Sequence, residues 1–358
     1  MNNNDVFVIH PYLKIRRMFK DSDLEEAYKL TEAIDLNPIF VKSVGLDKIN
    51  SKTFLNSGFV KTISEKAKSL KTELVFVNCS LSPIQQRNLE KEISCKVIDR
   101  TGLILEIFGA RANSNEGKLQ VNLASLVYQK SRLVRSWTHL ERQRGGAGFM
   151  GGPGERQIES DRRQITDQIN RIKKRILKID KTRSLQRYRR KKNNIPIIAL
   201  VGYTNSGKST LFNNLTNSDI LAKDMLFASL DSTIRKVFVE KKYCVFVDTV
   251  GFIRALPTSL IDAFKSTLDE IRNSDLILHV RDISNIENLS QKNEVLKVLS
   301  ELGIDEEDSR IIDVINKIDL IDKKQIKNSN SSKSTLISAI RGDGIENLLK
   351  KIIKKVFN

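Results

Sequence analysis

Cysteine is scarce in this chain. Cys79, Cys95 and Cys244 are scattered and odd in number. They supply neither a disulfide framework nor a metal site, and fit a reducing, cytoplasmic setting. Long apolar runs are missing too. The longest clear one, Ile195 to Val201, falls far short of the ~20 residues of a membrane-spanning helix, so no membrane span is expected. The start, Met1-Asn2-Asn3-Asn4-Asp5, has no basic flank and no apolar stretch behind it, so no secretory leader is expected. His10, His139 and His279 are the only histidines. No partner spacing supports catalysis by them, and each is expected to be structural.

Acidic residues are short in one place only. The chain carries 61 Lys and Arg against 43 Asp and Glu, a formal net charge of +18. Residues 1–129 hold 18 basic and 15 acidic side chains, residues 193–358 hold 23 and 22, and residues 130–192 hold 20 and 6. A field that concentrated attracts a polyanion, above all nucleic acid. A solvated helical surface is the plainer alternative, but solubility does not require charge to be segregated. With 40% hydrophobic and 29% charged residues, the chain otherwise reads as a soluble globular protein of two or three domains.

Three segments emerge. Residues 1–118 alternate short apolar runs, Val6 to Ile9 and Leu74 to Val77, with helical stretches at 22–34 and 83–94; Ser82-Pro83 gives the second a start signal. Strand–helix alternation predicts a small α/β domain. In residues 119–192, Leu119, Leu123, Leu126, Leu133, Trp137 and Leu140 share one helical stripe, and Ile158, Ile165, Ile169, Ile172, Ile176 and Ile179 make a heptad seam. Two such helices predict an antiparallel hairpin, with the Arg and Lys side chains pointing outward. Between them, residues 144–155 hold six glycines in twelve, which excludes helix. Phe149 and Met150 among those glycines suggest a contact element; the alternative is a connector. Residues 183–194 read as a polar, basic linker. The third domain, residues 193–358, begins with the strand Ile197 to Val201.

That strand leads into Gly202-Tyr203-Thr204-Asn205-Ser206-Gly207-Lys208-Ser209, then Thr210 and a helical pattern. This is the full phosphate-binding loop in the context it requires: backbone N–H groups wrap the phosphates, Lys208 reaches the β and γ oxygens, and Ser209 ligates Mg²⁺. A second apolar strand runs into Asp248-Thr249-Val250-Gly251, with the form of a Walker-B and switch II motif. There a carboxylate holds Mg²⁺ through water and a glycine N–H senses the γ-phosphate. A third precedes Asn316-Lys317-Ile318-Asp319, whose Asp319 can accept from N1 and N2 of guanine, a donor pair adenine lacks. Ser338-Ala339-Ile340 would back the base. Switch I lies in Phe227-Ala228-Ser229-Leu230-Asp231-Ser232-Thr233. Spacing leaves both Ser229 and Thr233 open as its Mg²⁺-sensing hydroxyl. Four motifs in order, each after an apolar strand, predict a GTPase in the C-terminal part.

Further strings carry a resemblance. These are Leu81-Ser82-Pro83 with Gln85 to Leu89, Asp99-Arg100-Thr101, Glu116 to Gln120, Ser136 to Gln143, Gly152-Pro153-Gly154-Glu155, Gly202 to Asn205 and Asp248 to Pro257. With them the chain resembles the HflX family in the Obg–HflX group of translation-associated GTPases, over most of its length. The resemblance implies a cytoplasmic, Mg²⁺-dependent GTPase that binds the large ribosomal subunit and dissociates or rescues stalled or hibernating ribosomes, with the hairpin reaching rRNA. It places Ser229 at the switch I metal position, where the family carries Thr, which makes Lys208 and Ser229 the candidate catalytic groups. Some relatives have a further C-terminal domain that is not expected here. Phe252 follows Gly251 and cannot orient a water. In some GTPases of that kind an Asn at the position of Asn205 helps hold K⁺ against the phosphates, although Asn also suits this loop conformationally. A monomer is expected. Two other functions stay open at this point: a GTP-switched adaptor for a protein partner, and an ATP-dependent RNA-remodelling enzyme.

Overall fold

The computed structural model describes residues 4–15, 21–135, 153–218, 226–227, 232–239, 242–254, 260, 265–322 and 334–357. The chain forms two compact units, one of residues 1–110 with 121–175 and one of 111–120 with 176–358.

In the first unit four parallel strands, β1 (Asp5–Leu13), β2 (Asn37–Leu46), β3 (Leu74–Val77) and β4 (Lys96–Asp99), lie in the order β2-β1-β3-β4. The two apolar runs found in the sequence are the central pair. Val6, Phe7, Val8, Ile9, Val75, Phe76 and Val77 are all fully buried, which is why they read as continuous and not alternating. Helices α1 (Asp21–Glu32), α2 (Ser57–Leu70), α3 (Pro83–Ile93) and α4 (Arg100–Arg111) complete the α/β layer. At the start of α3 the Ser82 hydroxyl accepts from the Gln85 N–H at 3.2 Å, and the Gln85 side chain accepts from the Ser82 N–H at 2.9 Å. Such a cap contributes about 1 kcal/mol. Val60, Ile63 and Ala67 of α2 and Leu89 and Ile93 of α3 close one face of the sheet over Phe7, Ile9, Val75, Val77 and Val97.

Two long helices follow, α5 (Asn115–Arg135) and α6 (Pro153–Lys192). Asp99, fully buried at the end of β4, ties α5 down. It accepts from the Tyr128 hydroxyl at 2.8 Å, from Arg132 Nη2 at 2.5 Å, and from the N–H groups of Gly102 at 2.8 Å and Leu81 at 3.1 Å. Of the expected stripes, Leu123, Leu126, Ile169 and Ile172 are buried. Trp137, Leu140 and the tip at 144–152 lie outside the described residues, as does the side chain of Ile158.

One expectation is corrected. Residues 183–192, expected as part of a polar, basic linker at 183–194, are helical: α6 continues through them to Lys192. No Gly or Pro occurs between Glu155 and Lys192, and Arg, Lys, Leu and Gln are good helix formers. A polar composition was therefore no sign of irregular backbone.

The second unit holds a six-stranded sheet in the order β10-β9-β8-β5-β7-β6. Its strands are β5 (Ile197–Val201), β6 (Thr233–Val239), β7 (Lys242–Asp248), β8 (Leu276–Asp282), β9 (Ile311–Asn316) and β10 (Ser334–Leu336). All pairings are parallel except β6 with β7. Helices α7 (Lys208–Thr216), α8 (Lys265–Arg272), α9 (Asn288–Glu301) and α10 (Ile345–Phe357) accompany them. Leu211, Phe212, Leu348 and Ile352 pack on Ile198, Leu200, Phe246, Leu278 and Val314. Within this unit Arg183 of α6 pairs with Glu116 of α5 at 2.7 Å. The first turn of α5 thus lies beside the C-terminal part of α6, as in an antiparallel pair. Among the described residues no helix is long and apolar enough to cross a membrane.

Candidate nucleotide site

The C-terminal ends of β5, β7, β8, β9 and β10 share one edge of the sheet, where open α/β sheets bind ligands. The loop after β5 turns into α7 at Gly207, whose φ is +89°. A Cβ there would stand 2.2 Å from Asn316 Nδ2, so the position requires glycine twice over. Lys208 opens α7, 5% exposed, and its ammonium donates to the Tyr203 carbonyl at 2.7 Å. Burial pulls its pKa down to about 8, against the opposing pull of the Asp248 charge. The Ser209 hydroxyl donates to Asp248 Oδ2 at 2.8 Å. A hydroxyl and a carboxylate meeting beside the phosphate loop are hard oxygen donors that suit Mg²⁺. Among the described residues there is no group of three or more His, Cys, Asp or Glu side chains that could hold a metal. Thr210, next along α7, is half-buried.

The segment after β7 is fastened to the phosphate loop. The Thr249 hydroxyl donates to the Leu200 carbonyl at 2.6 Å. The Thr204 N–H donates to the Phe252 carbonyl at 2.7 Å, and the Phe252 N–H to the Gly202 carbonyl at 3.1 Å. Val250 and Phe252 are buried. A Cβ on Gly251 would stand 2.8 Å from Thr204 Cα and 3.1 Å from Lys208 Nζ, a contact only glycine allows. The Arg254 N–H donates to the Tyr203 hydroxyl at 2.9 Å, and its guanidinium pairs with Glu287.

At the base end, Asn316 clips two loops together. Its Nδ2 donates to the Ser206 carbonyl at 2.9 Å and its Oδ1 accepts from the Ala339 N–H at 2.9 Å. The Ser338 hydroxyl donates to Asp319 Oδ1 at 2.6 Å. Ile318 and Asp319 lie in a short 3-10 turn, and Ile340 is exposed. Lys317 pairs with Asp282 at 2.6 Å. Sequence motifs missed Asp282, Asn214, which donates to the Ala339 carbonyl, and Glu287. The one available signal was an Asp closing the strand at Leu276–Asp282. Of switch I, Ala228, Ser229, Leu230 and Asp231 lie outside the described residues. Phe227 is buried, and Thr233 opens β6 opposite Asp248. Asn205 has φ +60°, a conformation Asn adopts more readily than most residues.

Two of the three histidines can be placed. His279 sits in the core of β8, its pKa lowered to about 3 by burial and then by Arg281, Lys292 and Lys208. His10 bonds Asn78 at 3.0 Å. His139 lies outside the described residues.

A second correction concerns the basic segment, whose cations do not all point outward. Arg132 is committed to Asp99, and Arg183, Arg187 and Arg190 face Glu270 of α8. Arg162, Arg163, Arg171, Lys173, Lys174 and Arg175 are exposed.

Three family models match in succession. A GTP-binding GTPase N-terminal model covers residues 21–109, a GTP-binding GTPase middle-region model covers 111–190, and a model described as a 50S ribosome-binding GTPase covers 197–317. The GTPase HflX of Magnetococcus marinus is 47% identical over 336 residues, which are 93% of this chain and 77% of that protein. The chain belongs to the HflX family of GTPases. The Escherichia coli HflX is 41% identical over 342 residues, covering 93% of this chain and 79% of its own length. A crystal structure of a GTP-binding protein from Sulfolobus solfataricus in complex with GDP shares the fold. Its TM-score is 0.50 at 24% identity, with 99% of this chain and 98% of that one covered.

Proposed function

We propose that this HflX-family GTPase acts on the large (50S) ribosomal subunit as a cytoplasmic monomer, docks on rRNA through the basic helices, and helps dissociate or rescue stalled or hibernating ribosomes. The observation that carries the reading is the face of α6: six cations between Arg162 and Arg175 are exposed while Ile169 and Ile172 are buried. A polyanion would meet that charge without disturbing the packing beneath it.

At the nucleotide site we assign the phosphates to the backbone of Gly202 through Thr210 and to Lys208. The guanine goes to Asn316, Lys317, Ile318 and Asp319, backed by Ser338, Ala339 and Ile340. Switch I is Phe227 to Asp231, and the γ-phosphate sensor is Asp248 to Gly251. Ser209 and Ser229 would hold Mg²⁺, with Asp248 behind them. When bound, that ion neutralises charge developing on the phosphates. Phe252 supplies no group to orient water, so intrinsic turnover is slow and the subunit activates it.

Co-sedimentation with 50S subunits at low and moderate salt, with GTP, GDP and ATP analogues, tests the reading. Salt-sensitive pelleting favoured by the GTP analogue is expected. Equal recovery with every nucleotide, or none at low salt, would return the adaptor reading to first place.

A further inference from the structure

Glu270 stands in α8, the helix that follows the switch II segment, with its carboxylate fully buried. A buried carboxylate persists only with partners, and α6 supplies three. Arg187 Nη1 lies 2.9 Å from Oε1, Arg190 Nη2 3.6 Å from Oε2, and Arg183 Nη1 4.0 Å from Oε1. Steps of four and then three put these arginines on one helical face. Arg183 reaches on to Glu116 of α5 at 2.7 Å. Asp180 of α6 and Asp269 of α8 add like charges beside the cluster, and Asp180 is raised by burial and then by Asp269, against Arg183 and Arg187. Leu268 and Ile271 of α8 are buried, so α8 is held from its apolar side as well.

Stability alone does not explain this arrangement. Apolar side chains of similar volume generally serve as well as a buried ion pair or better. What the ions add is direction. One carboxylate faces three arginines spaced about a helical turn apart, so a movement of α6 along α8 would exchange one partner for another without stranding the charge. Packed interfaces move between discrete arrangements of this kind. We propose that Glu270 is a positioning residue that couples α6 to the switch II side of the GTP site, so that a polyanion seated on the exposed cations of α6 sets the rate of GTP hydrolysis. The proposal rests on the large-subunit reading above. Among the described residues, Glu270 itself touches none of the phosphate, metal or base residues assigned there.

The test uses the full chain. GTP affinity, basal turnover, half-saturation by 50S subunits and subunit-stimulated turnover are measured for the wild type, Glu270→Gln, Arg187→Gln and Glu270→Asp. In Glu270→Gln the first three should stay near wild type while stimulation falls roughly tenfold, within the usual range of coupling between sites. Glu270→Asp keeps the charge and should restore most of the stimulation, which a general packing defect would not do. Arg187→Gln breaks the same contact from a partly exposed side and should reproduce the loss, and it decides the matter if Glu270→Gln fails to fold. Wild-type stimulation in both Gln variants, or in the one that folds, overturns the coupling alone. A wild-type protein that 50S subunits do not stimulate overturns the coupling and the ribosomal reading together.

Discussion

The Ser338 hydroxyl donates to Oδ1 of Asp319 across 2.6 Å, so the carboxylate assigned to guanine is aimed by the loop after β10 and not by its own turn alone. Asp319→Asn replaces one of the two acceptor oxygens with an amide donor. Nucleotide competition should show preference moving from GTP toward xanthosine triphosphate. Ser338→Ala leaves the acceptor and removes its support, which should weaken GTP by about 1 kcal/mol, the usual net value of one hydrogen bond. Unchanged GTP affinity in both variants would place base recognition elsewhere.

Lys208 ties affinity to pH. Burial pulls its pKa down to about 8. Phosphate favours the charged form and raises that value, so binding above pH 8 takes up a proton. GTP affinity should therefore be flat below that pH and fall as pH rises through it, by up to about tenfold per unit. Titration calorimetry in buffers of different ionisation enthalpy measures the uptake directly. Lys208→Ala should abolish the pH dependence and cost about 2–3 kcal/mol of binding, as for a hydrogen bond to a charged group.

Ribosomal affinity should follow the exposed cations only. Reversing Arg162, Arg163 and Lys174 together should weaken pelleting with 50S subunits. The salt slope should fall by about 0.9 for each phosphate left without its cation if the RNA behaves like a B-DNA duplex, and by about 0.7 if it behaves like a single strand. Nucleotide affinity should not change. A triple reversal that pellets like the wild type would refute the footprint. Arg135 and Arg142, cations of the same basic segment whose side chains lie outside the described residues, belong in a second set. Deleting Gly145–Gly152 should spare binding and impair subunit splitting; normal splitting would make that loop a connector.

Hydrolysis offers a fourth measurement. Phe252 is fully buried, and Asn205 sits in the phosphate loop at φ +60°. If Asn205 helps hold K⁺ against the phosphates, GTP turnover should be faster in potassium than in sodium at equal ionic strength, and Asn205→Ala should erase the difference. Equal wild-type rates in the two salts would leave Asn205 its conformational role only. Fast turnover with no ribosomal subunit present would contradict the proposal that intrinsic turnover is slow and the subunit activates it.

The phosphate loop was legible because its constraints are local. Gly207, Lys208 and Ser209 are neighbours in sequence, and one strand-to-helix turn puts them to use. Ser82-Pro83 was legible for the same reason. Edge strand β2 was not, since the apolar run in Asn37–Leu46 is only Ile39-Phe40-Val41 and its strand state depends on pairing with β1. Asp282 and Glu270 were hidden more deeply. Their partners Lys317, Arg183, Arg187 and Arg190 are distant in sequence, and a charge count cannot tell a cation that faces solvent from one that faces a buried carboxylate. The 20 basic residues of 130–192 thus overstated how many cations of that segment remain for a partner.

The pairing of Thr204 and Gly202 with Phe252 runs entirely through main-chain atoms. An alanine scan deletes side chains, so it passes over this pairing without a signal. At Phe252 it would report only the missing ring. Proline is the informative replacement there, because it removes the one N–H that reaches the Gly202 carbonyl. Backbone ester substitution at the same residue would do so with the ring left in place. Screens built on side-chain truncation would leave the joint between the phosphate loop and switch II off the map of functional positions, however much nucleotide handling depends on it.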